Sequence, residues 1–350
     1  MLQIVRKGPR GLTVDGPSRI RTLMGSSSPS PGLRALVGAS WLLVALMIPA
    51  CRAEPPVAKS PLVIRITTGL PGMTFKPLGE ALAHAFESAV ADAHFEVIET
   101  AGSVANLQKL ESGEADLGFA LADVAYTAFN GRGVEFPSPA RTVRGMAVLH
   151  PSAVHVLVPA GSTAQSIADL RGRIGVGPAG SGTAVTSALL LNAFGVPQSD
   201  ITNLFLPFIT ASQALATGDL DAAFVVAADP VDAVQRATSA GARLITINGE
   251  QVRRLRSEYP FLRPGTIPAG TYQKGAGPIP TMLVDVLLLT REGLDDELVR
   301  RLTSALFDVL PQLAASNDFL RLMDTRRAPA TPVPLHAGAA LYYRERELSR

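Results

Sequence analysis

One supersecondary pattern occurs twice in this chain, and that repetition limits the folds open to it. The first copy starts at the β-branched run Leu62-Val63-Ile64-Arg65-Ile66, which reads as a strand. A glycine loop follows, Gly69-Leu70-Pro71-Gly72-Met73-Thr74, and then an apolar-periodic helix over residues 78–89. The second copy runs from residues 173–176 through Gly177-Pro178-Ala179-Gly180-Ser181-Gly182-Thr183 into a helix ending at Phe194. At an offset of 108, Gly69 matches Gly177, Gly72 matches Gly180, Leu82 matches Leu190, and Ala85-Phe86 matches Ala193-Phe194. Another pair of blocks, QKLESGEADLGF at 108–119 and QALATGDLDAAF at 213–224, recurs at an offset of 105. In each, a helix is expected to stop at glycine (Gly113, Gly218) before an acidic turn and a strand. The ordered blocks predict two similar α/β lobes with parallel strands joined by helices.

Lobes of this kind bind ligands at the carboxyl ends of their strands, beside helix N-termini. Both glycine loops occupy that position, so lobes that face each other share one cleft. The apolar runs 153–158 and 282–290 supply two chain crossings, which are expected to form the hinge. They predict a first lobe of residues 62–155 and 281–350 and a second of 156–280. Free amides at a helix start, with the hydroxyls of Ser181 and Thr183 and close approach at Gly182, suit a carboxylate. Gly72, Thr74 and Phe75 hold the matching place in the first lobe. Ser103 and Asn106 open the helix after Thr100-Ala101-Gly102, where Ser103 suits an N-cap and a ligand contact alike. Asp123 follows the strand 117–121 at another capping position; facing the cleft, it would repel a carboxylate and receive an amino group. Lys76, Tyr126 and Tyr272 are further polar candidates, each with an ordinary solvated or packed role as the alternative.

Charge is unevenly spread. The chain carries 32 basic and 30 acidic residues, but residues 1–50 hold six of the former and only Asp15 of the latter, leaving the remainder at −3. Residues 35–50 (ALVGASWLLVALMIPA) form an uncharged run after Arg34, short for a membrane span and suited to a signal-peptide core. Residues 1–50 are therefore expected to be a signal peptide, with Met24 an alternative start. Ile48-Pro49-Ala50 before Cys51 resembles a bacterial lipoprotein signal and predicts a lipid on Cys51, Pro49 being a departure. Cleavage nearby by an ordinary signal peptidase would leave Cys51 incidental. Residues 51–61 then act as a Pro-rich tether. Hydrophobic residues at 47% exclude a disordered chain, the charge balance gives no reason to expect nucleic acid, and one cysteine excludes a disulfide framework.

Catalytic patterns are thin. His84, His94, His150, His155 and His336 have no metal-ligand spacing, and no G-x-S-x-G elbow occurs. Gly175-Val176-Gly177-Pro178-Ala179-Gly180 has dinucleotide-site spacing, but no acid ends a second strand about 20 residues on. The expectation is a binding protein with no enzyme activity and no cofactor. A dinucleotide-dependent enzyme is the remote alternative.

Five segments in order resemble the solute-binding receptors of TRAP transporters, specifically the TAXI family. They are TTGLPGMTFKPLG (67–79), TAGSVANLQKLESGEADLGFALADVAY (100–126), DLRGRIGVGPAGSGT (169–183), IPAGTY (267–272) and PLHAGAALYYRE (334–345). The resemblance implies a two-lobed α/β periplasmic binding protein, type II-like, that closes on a small organic acid. A dicarboxylate or oxo-acid is expected, with a glutamate-like amino acid the variant. The receptor would deliver it to a TRAP-type permease driven by an ion gradient, or, as a second reading, present it to a membrane sensor. The chain departs from the family at Leu70-Pro71, at Phe75-Lys76, where tyrosines are usual, and at Asp229-Pro230, where Gly-Pro is usual. The first departure of side chain removes a phenol hydroxyl near the cleft.

Overall fold

The computed structural model describes residues 62–348 apart from Pro260. The expected signal peptide, Met24, the lipid on Cys51 and the tether all lie outside the described residues. The chain alternates β1 (Leu62–Thr67), α1 (Phe75–Ala89), β2 (Ala93–Ile98), α2 (Ser103–Ser112), β3 (Leu117–Leu121) and α3 (Ala122–Phe129). A long strand β4 (Val143–Val158) leads to β5 (Gly172–Gly175), α4 (Gly182–Ala193), β6 (Ile201–Leu204), α5 (Phe208–Thr217), β7 (Ala222–Ala227) and α6 (Asp232–Ser239). Then come β8 (Arg243–Leu244), α7 (Glu250–Glu258), β9 (Leu262–Ile267), the second long strand β10 (Ile279–Arg291), α8 (Asp296–Ser316) and α9 (Ala337–Leu348).

The sequence repeat is a structural repeat. β1 pairs in parallel with β2 and β3, and β5 pairs in parallel with β6 and β7. The helices α2 and α5 both stop at a left-handed glycine, Gly113 (φ 76°) and Gly218 (φ 80°), where a Cβ would be strained. Both following strands, LGFAL of β3 and AAFVVA of β7, are buried throughout. Such continuous apolar runs belong to parallel strands covered by helices on both faces.

The two halves are not separate sheets. All strands belong to one ten-stranded sheet in the order β2-β1-β3-β10-β4-β7-β5-β6, with β8 beside β4 and β9 beside β10. The cause is the length of the crossings. β4 has 16 residues and β10 has 13, so at about 3.3 Å per residue each is long enough to serve both halves. They pair antiparallel and exchange partners along their length. β4 leaves β10 for β7 at Ala153, while β10 pairs with β9 up to Val284 and with β3 from Val286. The expected lobe boundaries were 155/156 and 280/281, so the second exchange falls a few residues later, at a bulge around Asp285.

Asp116 ties the first half together. It is 5% exposed, accepts from the Arg65 amide at 3.0 Å, and receives both Nε and Nη2 of Arg291 at 3.0 and 2.9 Å. This two-pronged guanidinium grip fixes β10 against the strand ends beside it. At the chain's end, His336 is buried just before α9 and lies 3.1 Å from the Glu292 carbonyl, a structural role. Among the described residues no helix is long and apolar enough to cross a membrane. Where α9 meets α8, a Cβ on Gly338 would stand 2.0 Å from the Asp296 carbonyl oxygen and 2.9 Å from the Arg300 nitrogen. Gly338→Ala therefore overpacks against backbone and should cost about 1–3 kcal/mol. Urea unfolding should show a lower midpoint at an unchanged slope; an unchanged midpoint would mean that α9 shifts freely.

Candidate ligand cleft

Four helices begin at one small cavity between the two halves. Its walls are Met73, Thr74 and Phe75 at the start of α1, Gly102 and Ser103 at α2, Gly182 and Thr183 at α4, and Phe208 at α5. Leu121 at the end of β3, Val226 and Ala227 at the end of β7, and Ser152 on β4 complete them. The walls are related by the repeat. Thr74 and Phe75 stand 108 residues before Gly182 and Thr183, while Ser103 and Leu121 stand 105 before Phe208 and Val226. Among the described residues, no charged side chain lines the cavity. Its polarity comes from hydroxyls and from helix N-termini, whose amides have no partner within their own helix and carry partial positive charge.

The halves are in contact across this cavity. The amides of Val104 and Ala105, in the first turn of α2, both donate to the Gly180 carbonyl of the opposite loop, at 3.1 and 3.2 Å. A Cβ on Gly182 would lie 2.5 Å from Ser103 Oγ and 2.7 Å from Leu121 Cδ1, so only glycine allows the loops to meet this closely. The cavity measures about 20 Å³. That is enough for one water, which needs about 10–15 Å³ of such space, and too little for an organic acid. A molecule of that size would enter only if the halves parted.

Five of the nine sequence-predicted ligand residues, Thr74, Phe75, Ser103, Gly182 and Thr183, come together on the cavity wall. The others do not line it. Gly72 turns the preceding loop at φ 81°. Ser181 is the N-cap of α4, accepting from the Ala184 amide at 3.2 Å. Asn106 is fully buried, and its amide is spent on the fold: Nδ2 donates to the Thr68 and Phe119 carbonyls, each at 2.8 Å, and Oδ1 accepts from Thr100 Oγ1 at 2.6 Å. Ser103 is not the cap of α2. Gly102 takes that place, and Ser103 Oγ instead accepts from the Leu121 amide at 3.1 Å. Lys76 pairs with Glu99 at 2.7 Å toward solvent. Tyr272 is buried away from this cavity. Its hydroxyl lies 2.8 Å from His155 Nε2, and Asp229 of the Asp229-Pro230 departure stands 2.9 Å from the same nitrogen. Phe208, Val226, Ser152 and the Gly180 carbonyl were not predicted. The 105-residue offset carried backward reaches Phe208, so that signal was present.

Asp123 is fully buried in the seam and not on the cavity wall. It lies in the first turn of α3, where its Oδ2 is 2.6 Å from Thr186 Oγ1 on α4 and its Oδ1 accepts from the Val124 amide at 2.9 Å. Burial raises its carboxyl from the ordinary 3.8 to about 6, against the lowering effect of these hydrogen bonds. Thr186 Oγ1 is also 3.1 Å from the Gly182 carbonyl. A protonated Asp123 donates to Thr186, which in turn donates to Gly182, so every group is satisfied. An ionised Asp123 takes the threonine hydrogen for itself.

Residues 66–346 match the protein family described as NMT1-like. The chain belongs to the NMT1-like family. Among solved structures it is similar to MatC (Rpa3494) from Rhodopseudomonas palustris with bound malate, at 14% identity, 84% of this chain, 98% of that one and a TM-score of 0.52. It is also similar to the periplasmic binding protein BugD, at 11% identity, 82% and 94% coverage and a TM-score of 0.51. The alkanesulfonate-binding protein SsuA from Xanthomonas axonopodis pv. citri, bound to MOPS, matches at 21% identity, 82% and 84% coverage and a TM-score of 0.46. The fold is that of periplasmic solute-binding proteins.

Two outcomes follow for this family member. A raised carboxyl stabilises the fold fully below pH 3.8 and loses that contribution as pH climbs through 6. Between pH 4 and 7 Asp123 should lower the unfolding free energy by up to about 3 kcal/mol, at 1.36 kcal/mol per unit. Asp123→Asn should remove that slope from urea unfolding measured across the range; parallel curves for the two proteins would refute the assignment. Gly182→Ala should wedge the seam open, giving a larger radius of gyration by small-angle scattering at unchanged helix content.

Proposed function

We propose that this chain is the extracytoplasmic receptor of a TAXI-type TRAP transporter, and that it captures a small organic acid between its lobes for an ion-gradient-driven permease. The observation that carries the reading is the convergence of four helix N-termini on a cavity without a charged side chain. Such a site holds carboxylate oxygens by amides and hydroxyls. The N-termini come as repeat-related pairs, α1 with α4 and α2 with α5, which suits an acid with two like ends better than one with a single head. A four-carbon dicarboxylate is bound by MatC, which shares the fold. Family membership supports the receptor role, and the TAXI-like segments support the permease class. The lipoprotein-like signal before Cys51 supports attachment to the periplasmic face of a membrane.

Closure is the working motion. Parting the lobes breaks the Val104 and Ala105 bonds to Gly180 and exposes the amides at the start of α2. A carboxylate is then able to take the place of the Gly180 carbonyl, and closure over it removes the acid from water.

A thermal-shift panel of dicarboxylates, 2-oxo acids, monocarboxylates and amino acids tests this. At a hundredfold excess over Kd a bound acid adds about 2.7 kcal/mol, or roughly 5 °C in a chain of this size. Thr183→Val should weaken the responding acid about tenfold, as loss of one hydrogen bond to a charged group does, and Lys76→Ala should leave it unchanged. No response to any acid, or a response only to amino acids lost in Asp123→Asn, would overturn the proposal.

A further inference from the structure

A second and much larger cavity, about 340 Å³, lies at the hinge and shares no lining residue with the cleft. Leu121 faces the cleft, and its chain neighbour Ala122 lines this second space. Sites for small molecules measure about 300–1,000 Å³ and combine apolar walls with a few convergent polar groups. Here the apolar walls are Val148 on β4, Leu287 on β10 and the rings of Phe261 and Tyr126, whose centroids are 5.1 Å apart. The polar groups are Asp285 and Arg327.

The charges do not balance. Asp285, 4% exposed, holds two guanidinium groups, Arg263 on its Oδ1 and Arg327 on its Oδ2 at 3.2 Å. Asp324, which also feels the Arg327 charge, is paired with Arg326 at 3.5 Å, so three guanidinium groups face two carboxylates. One positive charge is left over beside the cavity. Arg263 Nε–H is buried with no hydrogen-bond partner, and a buried orphan donor is costly. A further guanidinium, Arg132, lies over the Tyr126 ring at 5.6 Å. Nearby His150 is held neutral at ordinary pH, since burial pushes it down to about 4, and so adds no positive charge.

We propose that this hinge cavity is a second binding site, for a small monoanion with a flat apolar body, of which an aromatic monocarboxylate is the simplest case. The single surplus charge selects one carboxylate, which Arg327 engages from its partly exposed position while Asp285 holds the guanidinium in place. Phe261 and Tyr126, in contact with each other, form one aromatic wall for the body, and Val148 and Leu287 form the floor. Phe261 enters β9, which joins the second half of the sheet, whereas Tyr126 belongs to α3 in the first. A ligand packed against both rings touches the two halves at the point where β10 exchanges partners, so occupancy favours their present contact.

The test uses 4-fluorobenzoate as probe, followed by ¹⁹F NMR on the full chain, with 4-fluorobenzamide as the uncharged match. The benzoate should bind at millimolar concentration or below and the benzamide should not. Arg327→Gln should weaken the benzoate about tenfold or more. Ala330→Trp, which fills the cavity from an exposed wall position without touching a charge, should do the same with an unchanged melting temperature. The proposal is overturned by no benzoate binding, by equal binding of the amide, or by undiminished binding in both variants, which would place the probe elsewhere.

Discussion

A helix begins with amides that its own backbone cannot satisfy, and in this protein four such beginnings meet at one point. The rest of the architecture is arranged around that convergence. Parallel strands place the helix starts at their carboxyl ends, glycines keep the loops thin enough to meet, and the long antiparallel pair β4–β10 holds the two sets opposite each other. In the closed arrangement the first turn of α2 is satisfied by a carbonyl from the facing loop. The same donors that suit a carboxylate therefore also serve as the fastening between the halves. On the proposed reading, ligand binding and lobe closure compete for one set of backbone groups.

Much of this was legible in the sequence, because repetition is a strong signal. The loop glycines, the left-handed stops at Gly113 and Gly218, the buried strands LGFAL and AAFVVA, and the crossings at β4 and β10 all follow from local chemistry and spacing. The individual site residues were less legible, since their roles depend on what tertiary packing leaves free. Ser103 looked like a cap, but glycine at φ 125° serves as the cap residue and releases the hydroxyl to the Leu121 amide. Asn106 looked like a ligand contact, yet it fastens strands β1 and β3 through their carbonyls. Asp123 looked exposed to ligand, but the contact with Thr186, 63 residues on, turns it into a seam residue. No local pattern encodes a distance of that kind.

The hinge cavity was invisible for the same reason. Arg263 and Arg327 stand 22 and 42 residues from Asp285 in sequence, and each alone reads as a solvated surface charge. They meet only because β9 and β10 are paired and the segment after α8 returns across the sheet. The departure at Asp229-Pro230 behaves likewise, pairing with a histidine on β4 through the fold and not through a motif.

One feature of the seam bears on kinetics. If the cleft is the binding site as proposed, a shut form that satisfies the α2 amides and the buried Asp123 carboxyl makes ligand entry wait on a spontaneous opening. Capture at dilute solute is then limited by encounter, whereas at high solute the observed association rate levels off at the opening frequency. On that reading the receptor reports scarcity faithfully and becomes insensitive to abundance, and the ceiling is set by the hydrogen bonds between the first turn of α2 and the Gly180 carbonyl.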